Sequence, residues 1–321
     1  MGKRAIEVLM IKKNFAFVFP GQGAQYVGMA KEFYELPEYK HFFEEANERI
    51  GYDLTDIMFE GPEDELKKTH NTQPAILLHS VVAYNYFKDH IDIVPAFTAG
   101  HSLGEFSALV TSGSLDWLDA LYLVHKRGGF MIEASRGVPF KMAAILGLDA
   151  EIIIGFCENS TGVVVAANFN TPVQTVISGE NKAVTEVMDK CIEAGARRVV
   201  ELVVGGAFHS PLIHKSFEWL NEEMKKCNFS DAIIPVISNY AAQPEKHKIE
   251  IIDNLAQQII SPVQWVRSVE YMCENGIDTF IEFGPGRVVS GMIKAINKDT
   301  NRYTINTLED AEKVITAFKN I

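Results

Sequence analysis

The sequence predicts an α/β fold, in which a large domain built on a mostly parallel sheet carries a smaller inserted ferredoxin-like unit. Two observations lead to this. Short apolar runs closed by glycine, proline or asparagine alternate with helical patterns along the 321 residues, the signature of strands joined by helical crossovers. Within the middle third the order changes to β-α-β-β-α-β, which is the ferredoxin-like arrangement. The expected division is 1–135 for the first part of the large domain, 136–205 for the insertion and 206–321 for the second part. Insertion is reasonable because the ends of a host element often lie close together at a domain surface.

The elements follow in order. FAFVFP (15–20) reads as a buried strand, and GQG follows it at once. EFYELPEYKHFFEEANERI is helical material, and DLTDIMFEGPEDELKKT gives short helices broken at Gly61 and Pro62. TQPAILLHSVVAYNYFKD (72–89) reads as an amphipathic helix, with Ile76, Leu77, Ser80, Val81 and Tyr84 at helical spacing and Pro74 in its first turn. DIVPAFTAG is the next strand. A helix from Ser102 or Leu103 follows it, and then a helix over 116–134 in which Gly128 and Gly129 invite a close approach.

In the insertion, FKMAAILGL is a strand and DAEIIIGFCENS a helix, and GVVVAANF and VQTVISG are strands around NTP. NKAVTEVMDKCIEAG is a helix with Ala183, Val184, Val187, Met188, Cys191 and Ile192 on one face, and ARRVVELVV is the last strand. The host resumes with a loop and helix in GGAFHSPLIHKSFEWLNEEMKKC, a strand in DAIIPVISN and a polar loop over 241–250. After these come helices in IIDNLAQQI and SPVQWVRSVEYMCENG, the strand IDTFIEFGPG, the helix VVSGMIKAI, the short strand RYTINT and a closing helix.

Charge and cysteine content narrow the function. The formal net charge is -12, which argues against a nucleic-acid footprint. Four cysteines form no C-x-x-C pair, so neither structural zinc nor a disulfide framework is expected, and reduced thiols in a cytoplasmic protein are. Lysines interrupt the apolar patch of MGKRAIEVLMIKKNF, so a signal peptide is not expected. No run approaches the roughly 18 apolar residues of a membrane span.

Chemistry enters at TAGHSLGEF (98–106). Gly100, Ser102 and Gly104 match G-x-S-x-G, the nucleophile elbow, between a strand and a helix; a glycine-rich turn capped by a serine fits the same residues. A serine nucleophile needs a base, and nine histidines compete for that role. His209 stands out because it follows a strand and the flexible GGA, where α/β folds present functional loops. His214 is the weaker choice, His101 fits a structural role beside the turn, and His79 and His125 lie in helices. No acidic residue advertises itself as the partner that orients the base; a backbone carbonyl or a side-chain amide serves that geometry as well, while stabilising the imidazolium less than a carboxylate. Oxyanion donors are available at the N–H of Leu103 and in GQG. Arg127, in an otherwise apolar helix face, is either a surface group or a ligand clamp, and FGPG (283–286) is a weak anion-nest candidate.

Taken together, FPGQG (19–23), GHSLGE (100–105), KRGGFM (126–131), NFNTPVQTVISG (168–179), GAFHSP (206–211), SPVQW (261–265) and EFGPG (282–286) resemble, in order, the motifs of the malonyl-CoA–acyl carrier protein transacylases. The resemblance runs from Phe15 to Ile296, and the first 13 residues depart from it. It implies an α/β-hydrolase-like large subdomain and a ferredoxin-like small one. It implies transfer of malonyl from malonyl-CoA to the phosphopantetheine thiol of acyl carrier protein through a malonyl-serine, in fatty acid or polyketide biosynthesis, with no bound cofactor or metal. Ser102 would be the nucleophile and His209 the base. Gln22 and the Leu103 N–H would form the oxyanion hole. Arg127 would hold the malonyl carboxylate, and Gln258 would orient His209 through its carbonyl. Phe208 would disfavour an α-methyl branch.

Three rival readings share these residues. An acyl hydrolase of the same fold would waste the arginine clamp. A discrete acyltransferase of a modular polyketide synthase differs only in its partner. A non-catalytic carrier-binding module would be expected to lack Ser102, His209 or Gln22. A monomer without nucleic-acid or membrane partners is expected. An acidic carrier needs a local positive surface, for which Lys215, Arg267, Arg287 and Lys294 are candidates.

Overall fold

A computed structural model of the chain describes residues 14–319; the departing first 13 residues lie outside the described part. Two sheets organise it. In the larger, β1 (Phe15–Phe19) lies between β2 (Phe97–Gly100) and β9 (Thr279–Phe283). β10 (Asn301–Ile305) pairs beyond β9, and β7 (Val236–Ile237) and β8 (Pro244–Glu245) lie beyond β2. Every pairing is parallel except β7 with β8. The unbroken apolar run FAFVF explains the central position of β1. Phe17 and Phe19 face the larger core while Ala16 and Val18 face a second core with Trp265 and Val269, so both faces of the strand are buried.

The second sheet has the order β4 (Val164–Thr171), β5 (Gln174–Glu180), β3 (Phe140–Leu146), β6 (Arg198–Glu201), all antiparallel. Helices Ala150–Glu158 and Asn181–Glu193 complete the β-α-β-β-α-β unit. One face of this sheet, Ala143, Ile145 and Ile177, packs on those helices; Met142, Ala144 and Val176 on the other face join the large core. The two parts are also pinned along the backbone. The Phe169 N–H donates to the Val263 carbonyl and the Val263 N–H to the Ala167 carbonyl, both at 2.9 Å. This gives the SPVQW segment a structural task.

Several elements differ in detail from the sequence expectation. The helix expected over 72–89 spans Thr69–His90 and is buried on nearly every face rather than on one. Pro74 therefore lies inside the helix. It cannot donate to the His70 carbonyl, which accepts from the His125 ring at 3.1 Å instead. Gly128 lets helix Trp117–Ala134 press against this one, since a Cβ there would stand 2.7 Å from the Thr69 carbonyl oxygen. Ile192 is 57% exposed, because one further residue rotates it about 100° past Cys191 and off the buried face. The strand expected in DAIIPVISN shrinks to two residues, and the polar 241–250 loop contains the antiparallel β8 and the start of helix Lys248–Gln258. No helix of the described residues is long and apolar enough to cross a membrane.

Candidate active site

The loops after β1 and β2 meet because those strands are neighbours, and their carboxyl ends open on one cleft. At the end of β2 the chain turns sharply. The His101 N–H still bonds the Phe19 carbonyl at 3.0 Å, Ser102 adopts φ 51°, and helix Gly104–Thr111 begins two residues later. Both elbow glycines are sterically required. A Cβ on Gly104 would lie 2.3 Å from the Phe19 carbonyl oxygen, and one on Gly100 would lie 1.9 Å from the Gly104 carbonyl carbon. The left-handed serine is held by Asn239, whose Oδ1 accepts from the Ser102 N–H at 2.6 Å while its Nδ2 donates to the Gly100 carbonyl at 2.6 Å.

The His209 Nε2 lies 2.8 Å from the Ser102 Oγ. Its Nδ1 lies 2.9 Å from the Gln258 carbonyl oxygen, which can only accept, so Nδ1 carries the hydrogen and Nε2 of the neutral ring takes the serine proton. His209 is buried and, like Ser102, has a positive φ, 56°. Burial and the neighbouring Arg127 cation push its pKa down to about 3, so the resting ring is neutral.

Arg127 is 1% exposed. Its Nη1 donates to the Gln73 Oε1 at 2.9 Å; its Nη2 donates to the Gln258 Oε1 at 2.9 Å and to the Ser102 Oγ at 3.0 Å. Burial lowers its pKa to about 10, which leaves it cationic at neutral pH. Gln22 is exposed on the cleft rim, and the Leu103 N–H stands free of the backbone bonds that close the elbow turn. Phe208 lines the cleft with Met131, Met142 and Val176, around a volume of about 180 Å³. A buried cation beside a hydroxyl and a neutral imidazole can receive a carboxylate while the hydroxyl attacks an acyl carbon.

The remaining histidines are engaged elsewhere. His101 bonds Asn170 Oδ1 at 2.8 Å and meets Trp265 edge-on, His79 bonds the Asn306 carbonyl at 2.8 Å, and His214 is exposed near Glu218. FGPG is not an open anion nest, because its Gly284 N–H already donates to the Ile305 carbonyl at 3.1 Å and its Gly286 N–H to the Asn306 Oδ1 at 3.2 Å. Of the basic candidates, Lys215, Arg267, Arg287 and Lys294 are all exposed, and Arg287 faces Asp310 at 3.6 Å. The described residues contain no cluster of side chains suited to a metal ion. Sequence reasoning overlooked Asn239, Gln73 and Glu105. Asn239 follows a strand end, where such loops converge, and Glu105 belongs to the quoted GHSLGE.

Residues 16–312 match the family described as acyl transferase domain. The chain is 43% identical to the malonyl CoA-acyl carrier protein transacylase of Bacillus subtilis over 310 residues, covering 95% of this chain and 98% of the relative. Its structure is similar to that of the malonyl-CoA:acyl carrier protein transacylase of Xanthomonas oryzae pv. oryzae, with a TM-score of 0.91, 38% identity and coverage of 95% and 98%. It is equally similar, at TM-score 0.91, 37% identity and coverage of 96% and 100%, to a malonyl-transacylase solved in complex with its type II PKS acyl-carrier protein.

Proposed function

The chain belongs to the malonyl CoA-acyl carrier protein transacylase family, and from that premise we propose how its residues move a malonyl group from malonyl-CoA to the phosphopantetheine thiol of acyl carrier protein. Ser102 Oγ attacks the thioester carbonyl as His209 Nε2 takes its proton. Gln22 and the Leu103 N–H receive the oxyanion. The C–S bond breaks, the CoA sulfur leaves with the proton from His209, and malonyl remains as an ester on Ser102. The carrier thiol then gives its proton to His209 and attacks the ester. The collapse returns the proton to Ser102. No metal or bound cofactor is needed.

Arg127 holds the malonyl carboxylate throughout, and Gln258 keeps the His209 ring in the required tautomer. The observation that carries this reading is the position of Ser102 Oγ, 2.8 Å from the base and 3.0 Å from the arginine. Arg127 also favours transfer over hydrolysis of plain acyl chains, which have no carboxylate to hold. Intact-mass measurement after mixing with malonyl-CoA should show one added malonyl group on the wild type and none on Ser102→Ala; a labelled S102A would refute the assignment.

Phe208 crowds the space an α-methyl branch needs. A single methyl in such a pocket is worth about 1–3 kcal/mol, so Phe208→Ser should raise methylmalonyl over malonyl use about tenfold in direct competition. An unchanged ratio would remove Phe208 from specificity. The small subdomain is taken as 136–205, between 1–135 and 206–321, because the strands of the four-stranded sheet fall inside those bounds. A cytoplasmic location is consistent with four unpaired thiols.

A further inference from the structure

The acid missing from the serine–histidine pair lies one layer below it. Glu105, in the first turn of the helix after the elbow, is fully buried. Its Oε2 accepts from the Asn239 N–H at 3.0 Å and from the Gln258 Nε2 at 2.9 Å. Asn239 in turn holds the Ser102 N–H, and Gln258 contacts both His209 and Arg127. We propose that Glu105 is a positioning residue for malonyl recognition: it fixes the Gln258 amide with its oxygen toward Arg127, and through Asn239 it fixes the turn that carries Ser102.

The argument is one of donors and acceptors. The Gln258 Nε2 faces two acceptors, Glu105 Oε2 and the Ser102 carbonyl at 2.8 Å. The amide oxygen must then face the other way, where it accepts from the Arg127 Nη2. A reversed amide would set an NH2 group against a guanidinium N–H, donor against donor beside a cation. Glu105 excludes that state, because a carboxylate oxygen offers no hydrogen. The assignment also holds through protonation. Burial raises the carboxyl pKa above the usual carboxylate range, with Gln258, Asn239 and the Arg127 charge opposing the rise. A proton taken up there belongs on Oε1, which has no hydrogen-bond partner, and Oε2 stays an acceptor.

This inference rests on the reading of Arg127 as the malonyl clamp, and the experiment separates the two. Single-turnover acylation of Ser102 is measured with malonyl-CoA and with acetyl-CoA for wild type, Glu105→Leu, Glu105→Gln and Arg127→Ala, with the thermal midpoint of each. E105L, which has no acceptor, should lose malonyl acylation about tenfold or more beyond its loss with acetyl-CoA, since hydrogen bonds to a charged group are at stake. E105Q can present one amide oxygen to both donors, so it should stay within about threefold of wild type with either substrate.

Equal losses in E105L for the two substrates, or an E105Q as selectively impaired as E105L, would overturn the proposal. If R127A still shows a malonyl-specific loss in that case, the clamp reading survives without Glu105. If R127A loses both substrates equally, the clamp reading fails and the Glu105 proposal fails with it. Should E105L not fold, Glu105→Asp withdraws the carboxylate by one methylene, and the same split between substrates is required of it.

Discussion

At the scale of single residues, the electrostatic contest around His209 governs how the enzyme responds to pH. Its pKa is depressed from 6.5 to about 3, by burial first and by Arg127 second. A base titrates away as pH falls through its folded pKa, so the neutral ring persists well below the usual histidine range. Acylation should therefore stay level from pH 8 to about pH 5.5, where an unperturbed histidine would already be mostly protonated. Replacing Arg127 with Ala removes a depressing charge, so with acetyl-CoA as substrate the acid limb should move up toward 6.5. A wild-type limb centred at 6.5, or an unshifted limb in R127A, contradicts this account. The same contest shows why the orienting acid could not be read from the sequence. Glu105 looks like an ordinary acidic residue in a helix first turn, and its partner Gln258 lies 153 residues away.

At the scale of elements, the elbow depends on contacts between consecutive pieces of chain. The Gly104 Cα passes so close to the Phe19 carbonyl that Gly104→Ala forces β1 and the following helix apart. Overpacking of this kind costs about 1–3 kcal/mol, so the urea midpoint should fall at constant slope while Ser102 acylation is lost with it. A G104A protein of wild-type midpoint would mean the turn has slack. The elements that were legible in the sequence were those with an unbroken apolar run or a clean helical period. FAFVF is apolar throughout, NKAVTEVMDKCIE repeats at helical spacing, and the β-α-β-β-α-β order follows from such runs. Pro244–Glu245 escaped notice because two residues carry no period and proline suits only an edge. The extra turn before Pro74 escaped it because proline usually marks a first turn, whereas here a histidine ring from another helix takes up the orphaned carbonyl.

At the scale of the whole molecule, the cleft has one wall from each sheet. Ser102 and Gln22 come from the parallel sheet's loops, and Met142, Asn168 and Val176 from the small antiparallel sheet. The GHSLGE and GAFHSP motifs belong to one part of the chain and NFNTPVQTVISG to the other, so their order was visible in the sequence but their convergence was not. That convergence is a product of packing between residues far apart in the chain.

The two backbone bonds that join β4 to Val263 make this arrangement a latch with an opening equilibrium of its own. Anything that bridges the walls must, by linkage, hold the latch shut. A malonyl group tethered to Ser102 on one wall sits in the cleft against Met142, Asn168 and Val176 of the other. Hydrogen–deuterium exchange at the Phe169 and Val263 amides should therefore be slower in the malonyl-enzyme than in the free enzyme, while amides of the last helix, Leu308–Lys319, keep their rate. If all of these rates are the same in both forms, the walls do not part there, and the cleft admits its two thioesters without flexing at this seam.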